Sequence, residues 1–252
     1  MREFTRCAVA RAPRAKPGAQ APPRPSAAKA AEGGLRVGVG GSDVTRLSLT
    51  LTLTLTLTLV GCTPQGDPGI GSGFFDDFER AQLGRDYDRT GGNWRIENGK
   101  LRVNGAKNHP LWLLRTLPRD VRVELDVRSE SAEGDIKVEL FGDGASHSKS
   151  DRYEATSYVI IFGGWNNSKN VLARLDEHGE DRVVGPERKV EPGKTYHFRI
   201  ERLGGTLTVW VDDAVLVEMA DPEPLRGRGH DHFGFNNWQS ELWFDNLKVT
   251  PL

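Results

Sequence analysis

The stretch Val121-Arg122-Val123-Glu124-Leu125-Asp126-Val127-Arg128 decides how the chain is read. Its apolar side chains fall on odd positions and its charges on even ones, the period of a β-strand with one dry face and one wet face. Ile136, Val138 and Leu140 keep that period in the next segment. Further on, Tyr196-His197-Phe198-Arg199-Ile200-Glu201 and Thr206-Leu207-Thr208-Val209-Trp210-Val211 flank Leu203-Gly204-Gly205, which predicts a hairpin. Val211-Asp212-Asp213-Ala214-Val215 predicts a second turn into another strand. Helical periodicity is absent, apart from one short turn expected near Ala81-Gln82-Leu83. No repeat or second linker interrupts residues 74–252, so they are expected to form one domain, long enough to bury a core. Ten to twelve short antiparallel strands in it predict an all-β fold, a single antiparallel β-sandwich of the jelly-roll kind.

Upstream lies an even stricter alternation, Leu47 to Thr58, closed by Leu59-Val60-Gly61-Cys62. Twelve or more alternating residues without a turn are too long for an ordinary strand. They are also too short for a membrane helix, which needs roughly 20 apolar residues. Arg46, an apolar run and small residues fit a secretory signal instead, with 47–61 as its apolar region. Leu59-Val60-Gly61-Cys62 resembles a bacterial lipobox, which implies lipidation at Cys62, a lipoprotein anchored to the membrane, and a cell-envelope location (outer membrane or cell surface in a Gram-negative cell). Residues 1–46 form a low-complexity segment that reads as disordered or as upstream sequence from an early start assignment, with Val44 as an alternative start. Residues 62–73, rich in Gly and Pro, read as a tether between lipid and domain.

The net charge of −1 hides an asymmetry. Residues 1–46 hold nine Lys/Arg against three acids, leaving 25 basic and 32 acidic residues from 47 onward. Such a domain lacks the basic density that nucleic acid requires, so no nucleic-acid partner is expected. Cys7 and Cys62 are the only cysteines, which excludes a disulfide, a thiolate metal site or a cysteine nucleophile within 74–252.

Phe74-Phe75-Asp76-Asp77-Phe78-Glu79, Trp94-Arg95-Ile96-Glu97-Asn98-Gly99-Lys100-Leu101 and Trp243-Phe244-Asp245-Asn246-Leu247-Lys248-Val249 resemble the opening and closing strands of concanavalin A-like lectin/glucanase domains. Tyr158-Val159-Ile160-Ile161-Phe162-Gly163-Gly164-Trp165-Asn166-Asn167-Ser168 through Arg174 resembles the farnesoic acid O-methyltransferase domain, and Gly234-Phe235-Asn236-Asn237-Trp238 its later segment. No glycine-rich turn after a parallel strand is present to hold a methyl-donor nucleotide, and no cofactor is expected.

Sugar binding uses a flat aromatic over apolar C–H faces, with amides reaching the hydroxyls. Trp165-Asn166-Asn167 and Asn236-Asn237-Trp238 each supply that trio, and with Arg174 they form the expected ligand patch. The alternative is that the tryptophans pack at strand ends while the asparagines make turns. Trp210 and Trp243 have the opposite parity to their strands' aliphatic residues, which places them on an outward sheet face, where they are further candidate platforms.

Glu124-x-Asp126-x-x-x-Glu130 departs from the Glu-x-Asp-x-Glu or Glu-x-Asp-x-x-Glu strand of family 16 glycoside hydrolases. Glu124 and Glu130 would lie roughly 20 Å apart at ~3.3 Å per residue, against about 5–5.5 Å for a retaining pair. Arg122 and Arg128 share their face, so the stretch reads as a charged sheet face. His230-Asp231-His232 lacks a third metal ligand and reads as a loop. Asp76 or Asp77 with Asp245 is the candidate pair for a structural Ca²⁺ where the first and last strands meet.

The reading is a membrane-anchored lipoprotein whose sandwich binds a polysaccharide or related glycan without chemistry. The alternatives are a glycoside hydrolase, glucanase-like or 3-keto-disaccharide hydrolase-like, and a structural envelope lipoprotein.

Overall fold

The computed structural model describes residues 66–150 and 153–252. The segment 1–46, the signal run 47–61 and the proposed lipidation site Cys62 lie outside the described residues. Fifteen strands run through the described part: β1 (Phe74–Asp76), β2 (Tyr87–Arg89), β3 (Arg95–Glu97), β4 (Lys100–Asn104), β5 (Leu111–Leu113), β6 (Val121–Ser129), β7 (Ile136–Gly142), β8 (Tyr158–Gly163), β9 (Lys169–Arg174), β10 (Val183–Val184), β11 (Thr195–Leu203), β12 (Thr206–Val211), β13 (Ala214–Ala220), β14 (His232–Asn236) and β15 (Glu241–Pro251). They form two antiparallel sheets, and the all-β sandwich expected from the alternation is what the chain adopts. The strands number more than ten to twelve because β2, β3, β5 and β10 are only two or three residues long, too short to show a period.

The eight-stranded sheet has the order β13-β12-β11-β6-β15-β4-β3, and β1 also pairs with β15. β15 pairs with β4 through Glu241–Phe244 and with β1 through Leu247–Val249, so one long strand joins β1 and the last residues of the chain in one sheet. The seven-stranded sheet runs β10-β9-β8-β7-β14-β5-β2. The hairpin predicted at Leu203-Gly204-Gly205 joins β11 to β12, with Leu203 opposite Thr206. No helix forms at Ala81–Leu83; among the described residues the one helical element is a left-handed turn at Gly164–Asn167.

The apolar sides of the alternating strands meet between the sheets. Leu125 and Val127 of β6, Phe198 and Ile200 of β11 and Ile136 and Val138 of β7 are buried there. Phe78, Trp94, Phe233, Phe235 and Phe244 form an aromatic knot, with Phe235–Phe244 centroids 4.9 Å apart and Phe233–Phe235 5.0 Å apart. Burying each such ring contributes about 2–3 kcal/mol. A second apolar cluster, Tyr153, Ala155, Val159, Ile161, Val171 and Ala173, lies on the other face of the seven-stranded sheet, with Trp165 packed against it. That face is therefore roofed rather than bare.

Part of the expected tether is docked on the domain. The Pro68 carbonyl accepts the Thr116 N–H at 2.9 Å, the Ile70 N–H donates to the Thr116 carbonyl at 3.2 Å, and the Ile70 side chain is buried. Among the described residues no helix is long and apolar enough to cross a membrane.

Candidate functional site

Under the roof of the seven-stranded sheet is a cavity of about 500 Å³, within the range that holds small ligands. Its floor comes from β7. Ile136, Val138 and Leu140 point between the sheets, so Lys137 and Glu139 point the other way, and both are buried. Lys137 Nζ donates to Glu177 Oε2 at 2.7 Å and to Asn108 Oδ1 at 3.1 Å. Glu139 accepts from the Tyr153 hydroxyl at 2.9 Å, from Asn236 Nδ2 at 2.6 Å and from the Ser157 hydroxyl. Asp135, just before β7, completes the acidic set around the single ammonium.

Burial sets the proton affinities here. It pushes the Glu139 carboxyl up to about 7, against the opposing hydrogen bonds of Ser157, Tyr153 and Asn236 and the charge of Lys137. Burial also raises Asp135, with Lys137 opposing and Glu177 adding to the rise. For Lys137, burial works against the ammonium, but the carboxylates of Asp135 and Glu177 outweigh it and its pKa is raised. The cluster is one cation among three buried carboxyls, short of positive charge.

Two buried polar atoms of residues in the cavity wall have no hydrogen-bond partner in the protein, Asp135 Oδ2 and Ser240 Oγ. An unmatched buried polar atom costs roughly 1–3 kcal/mol, so each is a place where a ligand group is worth most.

Trp165, Asn166 and Trp238 line this one cavity, so the two segments singled out by sequence converge. Trp165 sits in the left-handed turn with φ 48°, after Gly163 with φ 72°. Asn167 holds the turn in place: its Oδ1 accepts the Val190 N–H at 2.8 Å, and its Nδ2 donates to Val190 O at 2.8 Å and Ala132 O at 3.1 Å. Gly134 passes so close that a Cβ there would lie 2.9 Å from the Gly163 carbonyl. On the opposite side, Asn237 Oδ1 accepts the Ala106 N–H at 2.8 Å, and its Nδ2 donates to Ser240 O at 2.7 Å. The Lys107 N–H donates to the Trp238 carbonyl at 2.9 Å, joining the two loops that carry Lys107 and Trp238.

The other expected patch residues do different work. Asn236 and Asn237 are fully buried, Asn236 on the neighbouring strand β14 donating to Glu139 and Asn237 as the loop clamp. Asn167 clamps its own turn, as the turn-forming alternative anticipated. Arg174 is not in the cavity. On β9, Val171 and Ala173 face the roofed side, so Arg174 faces the other way and pairs with Asp221 at 3.0 Å. Trp210 and Trp243 do face outward, but on the eight-stranded sheet away from the cavity, under the Arg199 guanidinium at 4.0 Å and that of Arg102 at 4.8 Å.

Glu124 and Asp126 lie on that same sheet, paired with Lys248 (3.5 Å) and His197 (2.9 Å), so the charged-face reading holds and neither reaches the cavity. His232 is not in a solvated loop: it is buried in β14, with Nε2 3.1 Å from Asp67 Oδ2, while His230 contacts the Thr156 carbonyl at 2.7 Å. The pair nominated for Ca²⁺ is already engaged, Asp76 by Arg80 and the Tyr87 hydroxyl (2.7 Å), and Asp245 by Lys100. Among the described residues no group of three or more His, Cys, Asp or Glu side chains is placed to hold a metal ion.

Sequence reasoning missed Asp135, Lys137, Glu139, Glu177 and Asn108. The one available trace was Asp135-Ile136-Lys137-Val138-Glu139, three ionisable residues on one strand face.

This architecture is that of galectin-like and concanavalin A-like sandwiches. A Bacillus subtilis protein with a galectin-like fold superposes with TM-score 0.55 at 12% identity, over 71% of this chain and 94% of that one. A glycosyl hydrolase-like protein of Parabacteroides distasonis does so with TM-score 0.50 at 17% identity, over 71% of this chain and all of that one. The apo Crh5 transglycosylase gives 0.52 at 11% identity, over 74% and 88%. At such identities the likeness is one of fold. Residues 76–250 match the 3-keto-alpha-glucoside-1,2-lyase-like domain family, and the chain belongs to that family. No protein of curated function matches it by sequence.

Proposed function

We propose that the cavity binds a short saccharide, with the indoles of Trp165 and Trp238 against its C–H faces and Asp135 and Ser240 on its hydroxyls. The observation that carries this reading is the pair of buried, unpartnered oxygens between two tryptophan-bearing loops. A cavity of about 500 Å³ suits one or two sugar rings, not a groove tracking a long polymer. Isothermal titration with glucosides and 3-keto-glucosides tests it. Trp238→Ala should lower affinity about fivefold, at about 1 kcal/mol per indole, with the melting temperature little changed, whereas Trp165→Ala should lower both affinity and melting temperature, because Trp165 also packs on the second apolar cluster. Unaltered affinity would sink the patch.

The family and the raised pKa of Asp135 favour a second reading, eliminative cleavage of a 3-keto-α-glucoside. The C3 ketone acidifies the C2 proton. A carboxylate takes that proton, the C2–H electrons form the C1=C2 bond, and the C1–O bond breaks to release an alkoxide that is then protonated. Asp135 is the base in this reading, since burial strengthens a carboxylate toward operating pH. Asp135→Asn should abolish release of the glycal product, followed by ultraviolet absorbance, and leave saccharide binding within about tenfold, since the amide can still accept the Trp238 backbone N–H. Residual turnover near the original rate would remove Asp135 from that role.

The anchor belongs to the same proposal. Cys62 carries the lipid and the domain works at the cell envelope, a reading supported by the lipobox-like Leu59-Val60-Gly61-Cys62. Cys62→Ser should release the protein from the membrane fraction into the soluble one.

A further inference from the structure

We propose that the pole of the sandwich opposite the saccharide cavity holds a phosphate-bearing lipid headgroup between Arg119, Arg226 and the buried Arg202. The preference for a lipid over a free anion rests on the Cys62 anchor reading.

Strand polarity sets the two poles. The cavity residues Asp135 and Trp238 lie beyond the end of β6 and before the start of β15. At the other end of the same strands, Arg202, Val121 and Pro251 lie in one row across β11, β6 and β15. The next row holds Leu203, Asp120 and Leu252, with the Leu252 N–H donating to the Asp120 carbonyl at 3.1 Å and the Gly204 N–H to Asp120 Oδ1 at 2.7 Å. Leu203 and Leu252 are exposed, at 55% and 47%. β6 spans nine residues, so the poles are roughly 30 Å apart.

A second cavity, of about 580 Å³, opens at this far pole, with Arg119, Gly205, Asp221, Glu223 and Arg226 in its wall. Asp221 is already neutralised by Arg174 and by the Tyr158 hydroxyl at 2.6 Å. Neither Arg119 nor Arg226 has an ion-pair partner among the described residues. Behind the wall stands Arg202, fully buried. Its Nε donates to Gly204 O at 3.0 Å and its Nη1 to Leu225 O at 2.6 Å, carbonyls of segments that continue into the wall at Gly205 and Arg226. Its Nη2 has no partner, and its guanidinium lies over the Phe141 ring rather than a carboxylate. A buried guanidinium with an unused donor calls for an acceptor, and a phosphate oxygen is the acceptor that a planar fork of donors fits best. Glu223 is the opposing charge in the wall.

The chain brings a membrane to the same pole. The docked segment Asp67–Ile70 is fixed on Thr116, three residues before Arg119, and Asp67 contacts His232. Asp67 lies five residues after Cys62, a reach of at most about 17 Å. Arg119 and Arg226 then sit at headgroup height with Leu203 and Leu252 beside them, and the saccharide cavity faces away from the bilayer.

The test is sedimentation of the whole chain carrying Cys62→Ser with vesicles of phosphatidylglycerol and phosphatidylcholine, against phosphatidylcholine alone. Binding to the anionic vesicles should fall about thirtyfold with Arg119→Ala plus Arg226→Ala, at the strength expected of two cations near such a surface. Arg202→Met should lose binding as well, with its melting curve checking that it folds. Equal binding by parent and double variant, or none by the parent, overturns the proposal. Displacement by millimolar inorganic phosphate with the same arginine dependence assigns the site to free phosphate and overturns the lipid. Saccharide titration of the double variant should be unchanged, so failure here is separable from failure of the saccharide reading.

Discussion

β6 and β7 carry the same alternation and end in opposite environments. On β6, the even positions Arg122, Glu124, Asp126 and Arg128 are half-buried at the surface and pair across strands, as in Arg122–Glu201 at 2.7 Å and Asp126–His197 at 2.9 Å. On β7, Lys137 and Glu139 occupy the matching positions and are shut away from water under Tyr153, Asn108 and Asn236. A strand's own residues choose which face is polar. The loops that fold over that face decide whether its charges stay solvated and weak or become buried and consequential. Exposed pairs contribute about 0–1 kcal/mol; a buried charge that loses its partner costs several.

The largest expected contrast comes from removing a cation on each sheet. Lys137→Met leaves Glu177 and Asp135 buried together and should cost about 3–5 kcal/mol in urea unfolding. Arg122→Ala should cost under about 1 kcal/mol; equal losses would erase the distinction between the faces. Next in size is a pH effect at Glu139, whose folded pKa of about 7 lies above its ordinary value of 4.5. The folded state holds that proton more tightly, so stability should fall as pH rises from about 4.5 to about 7, by roughly 3 kcal/mol. Glu139→Gln should flatten the slope; a slope that persists would assign it to another group. Asn237→Ala removes the bond to Ala106 and the bond to Ser240 and should cost about 2 kcal/mol in thermal melts. It should weaken saccharide binding too, because Trp238 rides on that loop. The smallest effect belongs to Asp126→Asn, expected to stay within about 0.5 kcal/mol and to leave any turnover intact.

The fold was legible because alternation is a local property. Val121–Arg128 and the Leu203-Gly204-Gly205 turn show their roles within ten residues. Half of the cavity was legible as well, since Trp165 and Trp238 advertise themselves as aromatic residues in glycine- and asparagine-rich turns. The floor was not. Lys137 and Glu139 share their pattern with every other charged strand, and only the distant Asn108, Tyr153, Glu177 and Asn236 bury them. Arg174 and Asn237 misled for the complementary reason: neighbours in sequence pointed at the cavity while their own side chains turned elsewhere.

The left-handed turn under Trp165 bears on how this protein could be re-engineered. Trp165, Asn166 and Asn167 all have φ between 48° and 60°, a conformation that costs a non-glycine residue about 1–2 kcal/mol. Its tolerance is further narrowed by the close approach of Gly134. A library that randomises 165–167 would consist mostly of proteins with a damaged loop. One that randomises Trp238 and Gln239 would sample new ligand preferences on an intact frame, so the two walls of one cavity differ in how freely they can evolve.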